Sequence, residues 1–299
     1  MPDVSYYAGL TITCVGSSLL KDRMFILLLL GFWAGCAPQP MKPQQPLCAG
    51  KSSIQEAAAA LALQRQNLQP FRASADCTIS WIDQQGKKRD EPIRSAAIAF
   101  VPDSRVDFIG QLLFKEARFG ANESEFWLRI KAELDTYWWG TRAQAAQCRQ
   151  GLIVNPDSLV EALGIVAVGP DWKLFHRDGF DIVSLYESGR IIKRAYINAC
   201  DYRVEQIEYF DDEQIRRVQV QLGEYAAGET GIVAPTRIRA ASFDRMGQEE
   251  SAVLIRLKNI RPLPPEQIGR KLFVRPGRDG YANVYRLDEN CEFAQEEGQ

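Results

Sequence analysis

Histidine is almost missing from this chain: His176 is the only one in 299 residues, so a Ser-His-Asp or Cys-His arrangement would have one possible base. That base sits in Trp172-Lys173-Leu174-Phe175-His176, an alternating run that reads as a strand with His176 in a solvated or sheet-facing position. No two cysteines lie at CxxC spacing and no Gly-rich phosphate loop occurs, so neither a metal nor a cofactor is expected. Charge of one sign is lacking too. Lys and Arg number 36 against 38 Asp and Glu, a formal net charge of -2, which gives no electrostatic case for nucleic acid. The carboxylates of Asp211, Asp212 and Glu213 fall in a turn and serve solubility. These absences set binding ahead of catalysis, and no enzymatic activity is expected. Long hydrophobic runs are absent as well: residues 25–33 form an unbroken apolar stretch, shorter than the roughly 20 residues a membrane-spanning helix needs.

What that stretch does fit is the core of a signal peptide, with Lys21 and Arg23 as its positive flank and Ala34-Gly35-Cys36 as its small-residue end. Trp33-Ala34-Gly35-Cys36 resembles the lipobox of bacterial lipoproteins, with Trp33 where an aliphatic residue is usual. The resemblance implies that Cys36 is acylated and becomes the first residue of the mature protein. The alternative is an ordinary secretory signal that ends near a cysteine. Residues 37–46 are rich in Pro and Gln and read as an extended tether. Ala37 stands where an Asp in such lipoproteins favours the inner membrane, so the resemblance implies the periplasmic face of the outer membrane. The expected organisation is a doubtful prefix over 1–23, a signal peptide over 24–35, the lipidated cysteine and tether over 36–50, a domain over 51–265 and an arm of unassigned role over 266–299.

Of seven cysteines, Cys14 and Cys36 lie outside the expected domain, and Cys48, Cys77, Cys148, Cys200 and Cys291 are widely scattered. Five thiols in an exported chain allow two disulfides and one free cysteine. Cys77 is the candidate free thiol because it falls on the apolar face of a strand.

The domain opens with a helix. Ser53 and Glu56 form a capping box, and Ile54, Ala57, Ala58, Leu61 and Leu68 recur at helical spacing. At Phe71 the period drops to two: Phe71, Ala73, Ala75, Cys77, Ile79 and Trp81 alternate with polar residues in a long strand with one wet face. Short strands follow to Trp139, including one ending at Gly110 and another beginning at Gln111, with a hairpin turn over 120–123. Asn155-Pro156-Asp157-Ser158 starts a second capped helix, closed by Gly164. Strands then resume to Ile260. About a dozen strands without βαβ alternation argue one curved antiparallel sheet, and two amphipathic helices suffice only to cover its mouth.

The helix leading into Phe71-Arg72-Ala73, the strand around Ser104-Arg105-Val106-Asp107, the segments Glu125-Phe126-Trp127-Leu128 and Tyr137-Trp138-Trp139-Gly140, and the helix from Asn155-Pro156 to Leu163-Gly164 resemble the LolA/LolB-like lipoprotein-localisation proteins over about residues 53–265. The resemblance implies a mainly β (α+β) fold, an open antiparallel half-barrel of about eleven strands with helices over the mouth. Its hollow would bind acyl chains of lipids or of other lipoproteins, for lipid or lipoprotein trafficking. An interaction scaffold with its hollow filled by its own side chains is the alternative, and the two differ in whether room is left inside. Phe71, Ala73, Ala75, Cys77, Ile79 and Trp81, opposed by Ala97 and Ala99, are the expected pocket wall, unless the alanine-rich helix packs there. Leu112 or Leu113 is the expected membrane-inserting residue, by likeness to an exposed leucine in an early loop of the LolB-like receptors. The expected partners are the membrane, reached through the anchor, and lipids or lipoproteins.

Overall fold

The computed structural model describes residues 48–296 apart from 84, 103–104, 133, 149–155, 229–230 and 269–271. The prefix, the apolar run, Cys36 and the tether as far as residue 47 lie outside the described residues, as does the expected helix cap at Asn155.

Strand follows strand from Phe71. The first series is β1 (Phe71–Ile82), β2 (Lys88–Val101), β3 (Arg105–Leu112), β4 (Lys115–Ala121), β5 (Glu125–Ile130) and β6 (Thr136–Thr141). The second is β7 (Trp172–Arg177), β8 (Phe180–Glu187), β9 (Arg190–Asn198), β10 (Val204–Phe210), β11 (Arg216–Ala227), β12 (Val233–Phe243) and β13 (Glu249–Pro262). Each series is a meander, and antiparallel pairing of β1 with β13 joins them into one sheet in which β6 and β7 do not pair with each other. The architecture is therefore an open, mostly antiparallel half-barrel. It carries fifteen strands rather than about eleven, because β14 (Asn283–Leu287) adds parallel to the β6 edge and β15 (Phe293–Gln295) adds outside it. The C-terminal segment expected as an appended arm thus contributes two strands to the same sheet.

Among the described residues three α-helices lie outside the sheet: α1 (Ile54–Asn67), α2 (Arg142–Gln147) and α3 (Pro156–Glu161). Ser53 caps α1 by accepting the Glu56 amide, while the Glu56 carboxylate takes the amide of Ser52 rather than of Ser53. The sequence reading missed α2, although Thr141 and Gln144 form a full capping box. α2 and α3 belong to the connection from β6 to β7, across the opening of the half-barrel.

One face of the sheet carries the main core. Phe71, Ala73, Ala75 and Cys77 of β1 are buried there with Phe100, Phe108 and Ile207, while Ile79 and Trp81 are half-buried toward the end of the strand. Ala57 and Leu61 of α1, with Val160, Leu163, Ile165 and Val166 of the β6–β7 connection, roof this face. Burying a side chain of this size contributes about 1.5–3 kcal/mol, which sets the sidedness of every strand.

Ala97 and Ala99 are not part of that face, and here the expectation is corrected. A bulge in β2 sets Arg94 and Ser95 against β1 between the pairs Cys77–Ile93 and Ala75–Ala96, with Ser95 at φ 51°. Two residues of β2 against one of β1 invert the parity of the strand. Ala96, Ile98 and Phe100 consequently turn inward, and Ala97 and Ala99 pair with Ser74 and Arg72 on the opposite face. Their small size serves a different neighbour. Residues 263–268 and 272–276 run as a strap over that second face, where Ala99, Leu263 and Phe273 form a separate buried cluster.

Candidate functional site

The hairpin between β3 and β4 turns at Leu113 and Phe114, whose φ angles are 48° and 63°. Positive φ at both central residues defines a type I′ turn, normally filled by Asn-Gly. Here it holds two bulky apolar side chains, Leu113 40% and Phe114 77% exposed. Arg94 lies over the Phe114 ring at 5.4 Å, so a cation borders the apolar tip. Leu112, by contrast, ends β3 half-buried against the core. The two candidate leucines are thereby separated: Leu112 belongs to the strand and Leu113 to the tip. Phe114, the most exposed of the three, was not singled out from sequence, since the turn was expected before Gln111.

Gly110 explains that error. A Cβ at Gly110 would lie 2.3 Å from Cγ2 of Ile93, so the glycine serves close approach between β2 and β3 rather than a turn.

Beneath the roof the apolar face is continuous, and the roof is fastened by a buried polar cluster. Glu161, at the end of α3, accepts from Lys193 of β9 at 2.5 Å and from the Tyr209 hydroxyl of β10. Gly164 follows at φ 86°, as expected of a helix stop, with the Tyr225 hydroxyl 2.8 Å from where a Cβ would stand. Tyr225 donates to the Val204 carbonyl, and burial pushes its pKa up.

On the second face the strap occupies Tyr137 and Trp139 of β6. Arg275 lies 3.9 Å over the Trp139 ring and bonds Glu125, and Tyr137 donates to the Pro276 carbonyl, whereas register places Trp138 on the core face, in line with Leu128, Phe119 and Phe108, where it stacks on Tyr285 of β14. Asn122 donates to the Phe273 carbonyl. Two disulfides hold the periphery. Cys148–Cys291 ties the end of α2 to the β14–β15 turn, and Cys48–Cys200 ties the segment before α1 to the β9–β10 turn. Cys77 stays a buried free thiol, and burial pushes its pKa up to about 12.

His176 is half-exposed and contacts Asp181, which is fully buried, at 2.8 Å. The second oxygen of Asp181 takes the backbone amide of Lys51, and Gly50 abuts both side chains. This pair fastens the N-terminal segment to the β7–β8 hairpin. Burial and the Asp181 charge raise the pKa of the neighbouring Tyr202. Among the described residues no cluster of three or more His, Cys, Asp or Glu is placed to hold a metal, and no helix is long and apolar enough to cross a membrane.

No family model matches the sequence, and no curated protein matches it. Solved structures are similar in backbone path. A putative outer membrane lipoprotein-sorting protein domain from Vibrio parahaemolyticus has a TM-score of 0.49 at 8% identity, over 73% of this chain and 96% of that one. A LolA superfamily protein from Nitrosomonas europaea has 0.43 at 11% identity, over 72% and 97%. A DUF1329 family protein from Desulfovibrio piger has 0.45 at 10% identity, over 73% and 95%.

Proposed function

We propose that the protein is a lipid-anchored envelope protein that shelters acyl chains of lipids or lipoproteins on the roofed face of its half-barrel, for lipid or lipoprotein trafficking at the outer membrane. The observation that carries this reading is the construction of the roof. The strands satisfy one another through the sheet ladder, so α1, α3 and residues 162–168 cover the apolar face without completing it. Displacing them exposes apolar surface while leaving the sheet intact. Each methylene laid on that surface contributes about 0.8 kcal/mol, so a single acyl chain offsets the ordering cost of binding. Acylation of Cys36 supplies the anchor, and the disulfides fit an oxidising compartment. The apolar Leu113-Phe114 tip is the membrane-touching element in this reading.

A second reading has an observation of its own. Phe71, Phe100, Phe108, Leu61, Val160 and Leu163 form one continuous buried cluster, so the face is filled by the chain itself. A scaffold would look like this, and so would a carrier at rest with its roof closed. Fluorescent fatty-acid binding separates them. A soluble form beginning at residue 47, where the compact unit starts, keeps the Cys48 disulfide. It is expected to bind the probe, and Ala75→Trp is expected to abolish binding while the protein stays folded. No binding by the parent, with no lipid co-purified from the envelope, selects the scaffold; unchanged binding by folded Ala75→Trp moves the site off this face.

A further inference from the structure

Away from the strap, the second face carries a groove of about 400 Å³ across β8 to β12, within the roughly 300–1,000 Å³ of small-ligand clefts. Two rows of paired residues build it. Tyr196 of β9, Gln206 of β10 and Gln221 of β11 stand opposite one another in the first. Phe180 of β8 and Asn198 of β9 begin the second, which continues at Gly223 of β11 and Arg237 of β12. Ala195 and Ile197 flank Tyr196 and are buried in the main core, as are Val220 and Leu222 on either side of Gln221. The groove therefore lies on the side of the sheet away from the roof.

A bulge adds a carboxylate to the second row. The pairs Ile197–Val204 and Tyr196–Gln206 leave Glu205 as an extra residue of β10. Glu205 and Gln206 consequently both line the groove, between buried Val204 and buried Ile207. Asn198 donates to the Glu205 carboxylate at 2.8 Å. Two residues beyond Gln206, the buried Glu208 accepts from the Tyr196 hydroxyl at 3.2 Å and from the Gln206 amide at 3.1 Å, and Arg216 at 3.3 Å offsets its charge. Ring and amide are thus held in position in advance of any ligand.

The Phe180 and Tyr196 rings meet edge to face, their centroids 6.3 Å apart at 83°, and make an aromatic corner at one end of the groove. At the other end Arg237 lies 4.0 Å from Glu224, so neither charge dominates there. Gly223 keeps the floor open. A Cβ at this position would meet nothing within 4 Å, and its φ is not positive, so neither close packing nor a turn calls for glycine in mid-strand. Such a glycine costs stability and marks a place where another group approaches the backbone.

We infer that this groove binds a neutral pyranose sugar, stacked on the aromatic corner and hydrogen-bonded by Glu205, Gln206 and Gln221. An aromatic ring has a partially negative face, which complements the row of axial C–H groups on one side of a pyranose. Glutamine amides donate and accept at once, as sugar hydroxyls do, and a carboxylate accepts from hydroxyl donors. An acidic sugar would meet Glu205 at close range and is disfavoured. The site is independent of acyl-chain binding, because the sheet separates it from the roofed face.

Saturation-transfer NMR of the full chain in phospholipid nanodiscs tests the site, with methyl β-glucopyranoside and methyl β-glucuronide as probes. The parent is expected to transfer saturably to the glucoside, most strongly to the axial protons of one ring face, and more weakly to the glucuronide. Gly223→Trp fills the open floor and is expected to abolish transfer. Replacing both Gln206→Ala and Gln221→Ala is expected to weaken glucoside binding about tenfold. Glu205→Gln is expected to raise glucuronide binding relative to the parent. Ala75→Trp, on the roofed face, is expected to change neither probe. Absence of saturable transfer to the glucoside overturns the site, as does binding by folded Gly223→Trp equal to that of the parent. Glucuronide bound as tightly as glucoside by the parent overturns the assignment to a neutral sugar. Because Gly223 and Ala75 lie on opposite faces, failure of this site and failure of the roofed-face reading give different results.

Discussion

Cys77 shows how one residue carries both a structural and a chemical consequence of its position. It alternates inward with Phe71, Ala73 and Ala75 on β1 and is buried on the core face. Desolvation penalises the thiolate, the reactive form, which is why its pKa rises to about 12. The native protein is expected to leave Cys77 unreactive toward a thiol-titrating disulfide reagent at neutral pH, and one thiol is expected to appear on unfolding without reductant. Rapid modification of Cys77 in the folded protein would mean that the face opens readily. The free thiol was legible from strand alternation alone. The displacement of Ala97 and Ala99 was not, because Arg94 and Ser95 are ordinary strand residues that give no sign of a bulge, and a single inversion of parity moves every later side chain to the other face.

Among the elements, the β3–β4 hairpin is where local preference and structure disagree most. Leu113 and Phe114 each occupy positive φ, a conformation that costs a bulky residue about 1 kcal/mol or more. Exchanging Leu113-Phe114 for Asn-Gly is expected to stabilise the fold by about 1–2 kcal/mol in denaturant unfolding. It is also expected to reduce adsorption of the soluble form to phospholipid vesicles. Unaltered adsorption would remove the tip from membrane contact. The turn was invisible to sequence reasoning because it lacks Gly, Asn and Pro, whereas Gly110, which looked like punctuation, is a packing glycine. The start of α1 was legible because Ser53 and Glu56 are chemically specific. Hydrogen bonds to Ser52 are the leading cause of the lowered pKa of Glu56, with a smaller contribution from the Lys51 charge. A carboxylate with a depressed folded pKa stabilises above its ordinary value of 4.5, and that contribution is lost as pH falls through the depressed one. NMR shifts at residues 54–57 are therefore expected to report fraying of the first turn as pH falls below that ordinary value, and Glu56→Gln is expected to abolish this acid transition.

For the whole molecule, the half-barrel was legible because two long series of alternating strands without parallel crossovers leave few other architectures. The strap was not, since residues 263–268 and 272–276 carry no periodicity and their partners, Ala99, Trp139 and Tyr137, lie far away in sequence. The account's central claim is that an anchored protein shelters acyl chains beneath a displaceable roof. Native mass spectrometry of the protein released from its own membrane tests this most directly. The predicted spectrum shows a chain beginning at a covalently acylated Cys36 and carrying a further acyl lipid that leaves on collisional activation. A chain that carries no noncovalent lipid in any preparation, or that begins elsewhere than Cys36, would contradict it.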